Sequence, residues 1–266
     1  MRDCLADLAE HAELLLDRKV FRPLCAENWL YGVHFMDRVF GAEVRCRDGL
    51  FWSFGVENEI GELPVPDLEH DPTWSAARRL ALALVGFGAK VPFISTQVLG
   101  EPWNQTFNLY KERALVGFFD DPEGMQRDLN VVTDTLMEMH RWFLAHIPAD
   151  QFQPILPEGR CQPRGYGQMC GCSTHLISNS IYEEFVRDKD ERILSLYPRG
   201  GMLHLSWNEM PIRAMQVNDT AADELEQYLS GTRPDVILYF NPTSAISGDD
   251  ALRMAGGGKR LIVVEW

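Results

Sequence analysis

The chain has 266 residues, 45% of them hydrophobic and 24% charged, and its 39 acidic against 25 basic side chains give a formal net charge of −14. This is the balance of a globular protein long enough for one α/β barrel. A surface so acidic repels phosphate backbones and anionic lipid, which argues against nucleic acid and membrane surfaces as partners.

No apolar stretch reaches the ~18–20 residues that a bilayer crossing needs. The opening segment MRDCLADLAEHAELLLDRK carries five carboxylates and no uninterrupted apolar core. It reads as an amphipathic helix over 3–19, with Leu5, Leu8, Leu15 and Leu16 on one face, and not as a signal peptide. The six cysteines, Cys4, Cys25, Cys46, Cys161, Cys170 and Cys172, are scattered without an export signal. They are expected to be reduced thiols of a cytoplasmic protein.

In chain order, AEVRCRDGLFWSFG predicts a hairpin around Asp48-Gly49, a dipeptide favoured in tight primed turns. A helix follows at about 75–88, then a buried strand, AKVPFISTQ (89–97). Asp120-Asp121-Pro122-Glu123 starts a long helix that runs to about His146, with proline and acids in the first turn. FQPIL (152–156) and GQMCGCS (167–173) read as strands, and 179–196 as a helix. GGMLHLS (200–206), IRAMQVND (212–219), DVILYFNP (235–242) and KRLIVVEW (259–266) complete the strands. Alternation of strand and helix predicts a parallel sheet in one domain spanning 1–266. Only five residues, Trp207 to Pro211, separate two of these strands, whereas a parallel crossover commonly takes a dozen or more. Either one run is not a barrel strand or a crossover has been lost, so the expected TIM-barrel-like (β/α) fold is incomplete.

In such folds the functional face lies at the carboxyl ends of the strands. The polar residues there are Ser95 and Gln97, Cys170 and Cys172, His204 and Ser206, Asn218 and Asp219, Asn241, and Glu265. His204 interrupts an apolar run, where an unpaired imidazole would be costly; it is either a satisfied core histidine or a functional one. Cys170 and Cys172, two apart on an extended chain, would present both thiols to one face. With His175 three residues on and His204 on another strand, they supply nitrogen and sulfur donors suited to zinc; they also suit an ordinary core. Cys161 is held apart by an intervening segment containing two glycines and a proline. There is no phosphate-binding glycine loop and no Gly-x-Ser-x-Gly elbow.

Two segments resemble a known family. ALVGFFDDPEGMQRDLNVVTDTLMEMHRWF is similar to a "dDPe…l…tD" helix of the uroporphyrinogen decarboxylase and corrinoid methyltransferase superfamily. STHLISNSIYEEFVRDKDERILSLYPRGGMLHLS resembles that family's "liSp..yeeFv.P…i…..GG..iH.cG" stretch. The resemblance runs over roughly residues 25–266 and is strongest across 110–206. It implies an α/β barrel of the uroporphyrinogen decarboxylase type, with its site at the carboxyl ends of the strands.

The resemblance implies two chemistries. The decarboxylases grip an acidic tetrapyrrole with an arginine-rich "RQAGR" segment that this chain lacks, so decarboxylation is the least favoured reading. The methyltransferases use zinc to hold a thiol as thiolate against a methyl-corrinoid, with ligands in a His-x-Cys pattern and a distant cysteine. Here the histidine matches His204, Ser206 stands where the first cysteine would be, and no cysteine follows Cys172. Cys170, Cys172 and His175 are the candidates to replace the missing ligands. The expectation is a corrinoid-linked methyltransferase acting on a small thiol or other acceptor, with the corrinoid carried by a partner protein. His204 and Glu265 are its catalytic candidates; Gln97, Asn218, Asp219 and Asn241 bind substrate; Cys170, Cys172 and His204 hold zinc. The alternative is a non-catalytic paralogue that binds a corrinoid or another small molecule.

Overall fold

The computed structural model describes residues 30–88, 94–152 and 167–198, positions 2, 5, 6, 9 and 26, and strand backbone at 155–156, 160–161, 201–205, 214–217, 237–240 and 260–263. The first elements are a helix α1 (Phe35–Val39) and a hairpin of β1 (Val44–Arg47) and β2 (Leu50–Ser53). Asp48 and Gly49 both take positive φ, 55° and 80°. That is the primed-turn geometry the Asp-Gly pair was read for, and the strands pair antiparallel with Arg47 opposite Leu50.

Helices α2 (Pro72–Gly86), α3 (Pro102–Tyr110), α4 (Arg113–Asp120) and α5 (Pro122–His146) follow. Three of them begin acid-Pro. The proline at the first helical position lacks only an N–H that would have no helical partner. In two of them the acid caps the helix, Asp71 accepting from Trp74 N at 2.6 Å and Asp121 from Gly124 N at 2.9 Å. Helices α3 and α4 were not foreseen. In α3 the buried set includes Asn104, Gln105 and Thr106, so no apolar stripe separates it from a loop. The N-terminal helix expected at 3–19 lies almost wholly outside the described residues.

The core gathers around α5, whose Leu129, Val132, Leu136 and Phe143 are fully buried. Trp74 of α2 meets Trp142 and Phe143 edge-on, both at 5.4 Å between ring centroids. Among the described residues no helix is long and apolar enough to cross a membrane.

The second half carries a five-stranded parallel sheet in chain order: β5 (Gly167–Cys170), β6 (Gly201–Leu205), β7 (Ala214–Val217), β8 (Ile237–Phe240) and β9 (Arg260–Val263). The fold is therefore α/β, with these strands where the sequence placed them. Of the two readings of the short link after His204, the one in which a run is not a strand is overturned, because β6 and β7 are both strands and direct parallel neighbours. The link between Leu205 and Ala214 lies outside the described residues.

Two other strand expectations change. Of the 89–97 strand, residues 89–93 lie outside the described residues, and Ile94 makes isolated parallel bridges to Ala26 and Phe152. In FQPIL, β3 (Ile155–Leu156) pairs antiparallel with β4 (Arg160–Cys161) and does not join the parallel sheet. Pro154 cannot donate a ladder hydrogen bond, which suits a chain that leaves one pairing after Phe152 and enters another.

After β5 come a 3-10 turn (Cys172–Leu176), α6 (Asn179–Ile181), a π-helical turn (Tyr182–Val186) and α7 (Arg187–Leu194). Gly167 opens β5 against Tyr197, and a Cβ there would overlap the tyrosine ring. Gly167→Ala is expected to cost about 1–3 kcal/mol in urea unfolding; a neutral result would mean that the ring moves aside freely.

Candidate functional site

The site is built where β5 ends. Cys170 is the last residue of the strand and is buried, while Cys172 opens the 3-10 turn and is exposed. Their Sγ atoms lie 3.2 Å apart in a thiol–thiol hydrogen bond. The backbone of Cys170 is clamped from both sides, its N–H donating to Leu99 O at 3.2 Å and its carbonyl accepting from Glu101 N at 2.8 Å. Across the sheet, Cys170 pairs in register with His204, His204 with Gln216, and Gln216 with Tyr239.

Helix α3 holds the turn that carries Cys172. Asn104 Oδ1 accepts from Ser173 N at 2.9 Å, and Trp103 Nε1 donates to Ser173 O at 2.9 Å. The Thr174 hydroxyl donates to Glu101. Glu101 is fully buried beside Asp190 of α7, to which Tyr182 OH donates at 2.9 Å. Burial raises the Glu101 carboxyl well above its ordinary value, helped by repulsion from Asp190, and burial raises Asp190 to about 7. Among the described residues, none donates an N–H or O–H to Glu101 Oε2 or Asp190 Oδ1. One proton held between the two carboxyls satisfies both atoms, which explains how two acids are tolerated in the interior.

A second buried network is built on Gln105 of α3. Asp37 Oδ2 accepts from His34 Nδ1 at 2.8 Å, and Asp37 Oδ1 accepts from Gln105 Nε2. A carboxylate accepts only, so Gln105 must turn its Oε1 the other way, where that atom is buried and has no donor among the described residues. It faces Gly100, which bridges to Cys170; a Cβ on Gly100 would sit 3.5 Å from both Gln105 Oε1 and Cys170 O. The two networks thus meet at the Cys170 backbone.

Of the residues expected from sequence, Cys170 and Cys172 are brought together, and His204 lies beside Cys170 in register. Gln97 is buried, and its Oε1 accepts from Leu30 N at 2.8 Å, which ties the 94–97 segment to the chain before α1. His175 belongs to the turn that follows Cys172. Asn218, Asp219, Asn241 and Glu265 lie outside the described residues. Among the described residues no three His, Cys, Asp or Glu side chains converge to hold a metal ion. Sequence reading missed Glu101, Asp190, Asp37 and Gln105. Glu101-Pro102 is a helix-start signal, but nothing local marks it as buried, and Asp190 in RDKDER reads as part of a solvated face.

No family model and no curated protein sequence matches the chain. A solved structure does share its fold. It is a methyltransferase from Methanosarcina mazei, superimposing with a TM-score of 0.54 at 12% identity over 87% of this chain and 61% of the other. At that identity the likeness is one of fold alone, and this chain spans about three fifths of the methyltransferase's length.

Proposed function

We propose that this chain is a methyltransferase on an α/β barrel, with its site at the carboxyl ends of the parallel strands. It would move a methyl group from a corrinoid, carried by a partner protein, to a small thiol. The observation that carries this reading is the Cys170–Cys172 thiol pair, ending a parallel strand beside His204 in a chain that shares its fold with a methyltransferase. Support for the barrel comes from its parallel stations. Residues 26, 94 and 152 are linked by parallel bridges, and β5 to β9 add five more. Eight stations is the number that closes such a barrel.

The donor set fits zinc in part. Two thiolates on a tetrahedral zinc stand about 3.8 Å apart, so the pair needs to open by only about half an ångström. His204 belongs to the adjacent strand, about 4.8 Å away. Cys170, Cys172 and His204 would hold the metal, and Glu265 and His175 are the remaining donor candidates. When bound, zinc lowers the acceptor thiol's pKa so that the thiolate is present at neutral pH. The chain's own groups do the rest. Glu101, Thr174 and Asn104 fix the turn that presents Cys172, and Gln97 anchors the 94–97 segment; Asn218, Asp219 and Asn241 would bind substrate, and His204 and Glu265 would act on the reacting groups.

A second reading, ligand binding without turnover, is favoured by Ser206 standing where the resembled pattern has a cysteine. Metal analysis of protein purified without added zinc, paired with methyl transfer from methylcobalamin to 2-mercaptoethanol, separates the two. Near-stoichiometric zinc that falls at least about fivefold in Cys170→Ser and Cys172→Ser, with transfer lost in parallel, is the expected result. Protein that binds corrinoid but neither holds zinc nor transfers methyl would establish the binding reading instead.

A further inference from the structure

We propose that Cys170 and Cys172 form a thiol–disulfide exchange site for low-molecular-weight disulfides, closing to an intramolecular disulfide across Gly171. The inference rests on the geometry of the pair and stands apart from the methyl-transfer reading.

Three observations carry it. The sulfurs are 3.2 Å apart, closer than the contact distance of two sulfur atoms that do not share a hydrogen, so little more than 1 Å of approach completes a bond of about 2.05 Å. The pair is asymmetric, Cys172 being exposed and Cys170 buried. This is the division of labour that exchange requires, with an accessible attacking sulfur and a sheltered resolving one. Finally, the backbone on both sides of the pair is held in place from outside the turn. Cys170 is fixed by Leu99 and Glu101, and the residues after Cys172 are fixed by Asn104, Trp103 and Glu101. A resolving thiol on a clamped backbone, already 3.2 Å from its target sulfur, attacks at high effective concentration, which favours ring closure over a lasting mixed disulfide.

The chemistry balances in two steps. The Cys172 thiolate attacks one sulfur of a disulfide RSSR, forming Cys172–S–S–R and expelling RS⁻. The Cys170 thiol then loses its proton and attacks Cys172 Sγ, forming the Cys170–Cys172 disulfide and expelling the second RS⁻. Two protein thiols are oxidised, one external disulfide is reduced to two thiols, and the protons released by the cysteines accompany the departing thiolates. The consequence for the candidate site is direct, because a disulfide removes both sulfur donors at once.

The test treats the full-length protein with glutathione disulfide at neutral pH, with and without a zinc chelator, and maps trypsin fragments by mass spectrometry. Residues 165–187 form one fragment holding both cysteines and no other. The wild-type fragment is expected to lose two hydrogens, and Cys170→Ser to stop at a stable glutathione adduct on Cys172. Cys172→Ser is expected to react at least about tenfold more slowly, because only the buried thiol remains. Both variants retain the Cys170 backbone clamp, and circular dichroism checks that they fold. A wild-type fragment that keeps both thiols, or that stops at the glutathione adduct, overturns the proposal. So does a Cys172→Ser variant that reacts as fast as wild type. Protein that closes the disulfide but, once reduced again and supplied with zinc, transfers no methyl group leaves this inference standing and counts against the methyltransferase reading alone.

Discussion

Asp128→Ala is expected to lower the free energy of unfolding by about 3–5 kcal/mol, and with it the melting temperature by roughly 10 °C. Asp128 is completely buried in α5 and accepts from four donors: Gly61 N at 2.7 Å, Leu63 N at 3.2 Å, Tyr110 OH at 2.6 Å and Arg127 Nη1 at 2.6 Å. Truncation to alanine leaves the Leu63 amide in the interior without its acceptor, at about 1–3 kcal/mol, strips Arg127 of its carboxylate partner, and leaves Tyr110 OH only its longer bond to Glu59 O at 3.2 Å. Burial, and then the bond to Asp128, raise the Tyr110 phenol far above its ordinary value, so it remains a donor across the usable pH range. Because Asp128 ties the loop before α2 to both α3 and α5, its loss should also loosen the helix that clamps the cysteine turn. Urea unfolding followed by circular dichroism measures the effect. A loss below about 1 kcal/mol would mean that water or a neighbouring side chain replaces the carboxylate.

The second large effect is on acid stability. His140 of α5 is buried, with Nδ1 bonded to Tyr197 OH at 2.6 Å and Nε2 lacking a partner, and burial lowers its pKa to about 3. In the unfolded chain the same imidazole titrates near its ordinary value of about 6.5. Below that pH the unfolded state takes up a proton that the folded state refuses, so stability falls progressively as pH drops from about 6.5 towards 3. The full span corresponds to an upper bound of about 5 kcal/mol. Asp190 acts with the opposite sign. Its folded-state pKa of about 7 lies above the ordinary carboxylate value, so its cost to stability grows as pH rises through the same window. The two slopes partly offset each other in the wild type. His140→Asn keeps a polar partner for Tyr197 and removes the titration, and is therefore expected to be less stable than wild type near neutrality but to gain on it steadily towards pH 4. Parallel unfolding curves for the two proteins across that range would show that His140 is protonated in the folded state.

Local chemistry made much of the fold legible. The Asp48-Gly49 turn, the capped proline start of α5 and the apolar runs of β6, β8 and β9 are encoded by neighbours in sequence, through backbone preference and side-chain periodicity. The closeness of Cys170 and Cys172 was legible from their two-residue spacing, although the strand stops at Cys170 and the sulfurs meet across the start of a 3-10 turn instead of along one face of an extended chain. Helix α3 was not, because its polar residues are buried by partners distant in sequence and leave no amphipathic stripe. Nor was the direct pairing of β6 with β7, since the usual crossover length is a tendency, and two short strands need only a short return.

For the candidate site the division follows the range of the interactions. The sequence by itself determined the α/β class, the five parallel strands β5 to β9 and the thiols and imidazole at the strand ends, because strand-length apolar runs and the residues that terminate them are local properties. Only the tertiary structure decided that Glu101 and Asp190 meet in the interior, that Asp37 orients Gln105 towards Gly100, and that one helix anchors the turn presenting Cys172. Each of those contacts joins residues about 68 to 89 positions apart, and whether a carboxyl is solvated or buried depends on what packs over it, which no stretch of neighbouring residues encodes.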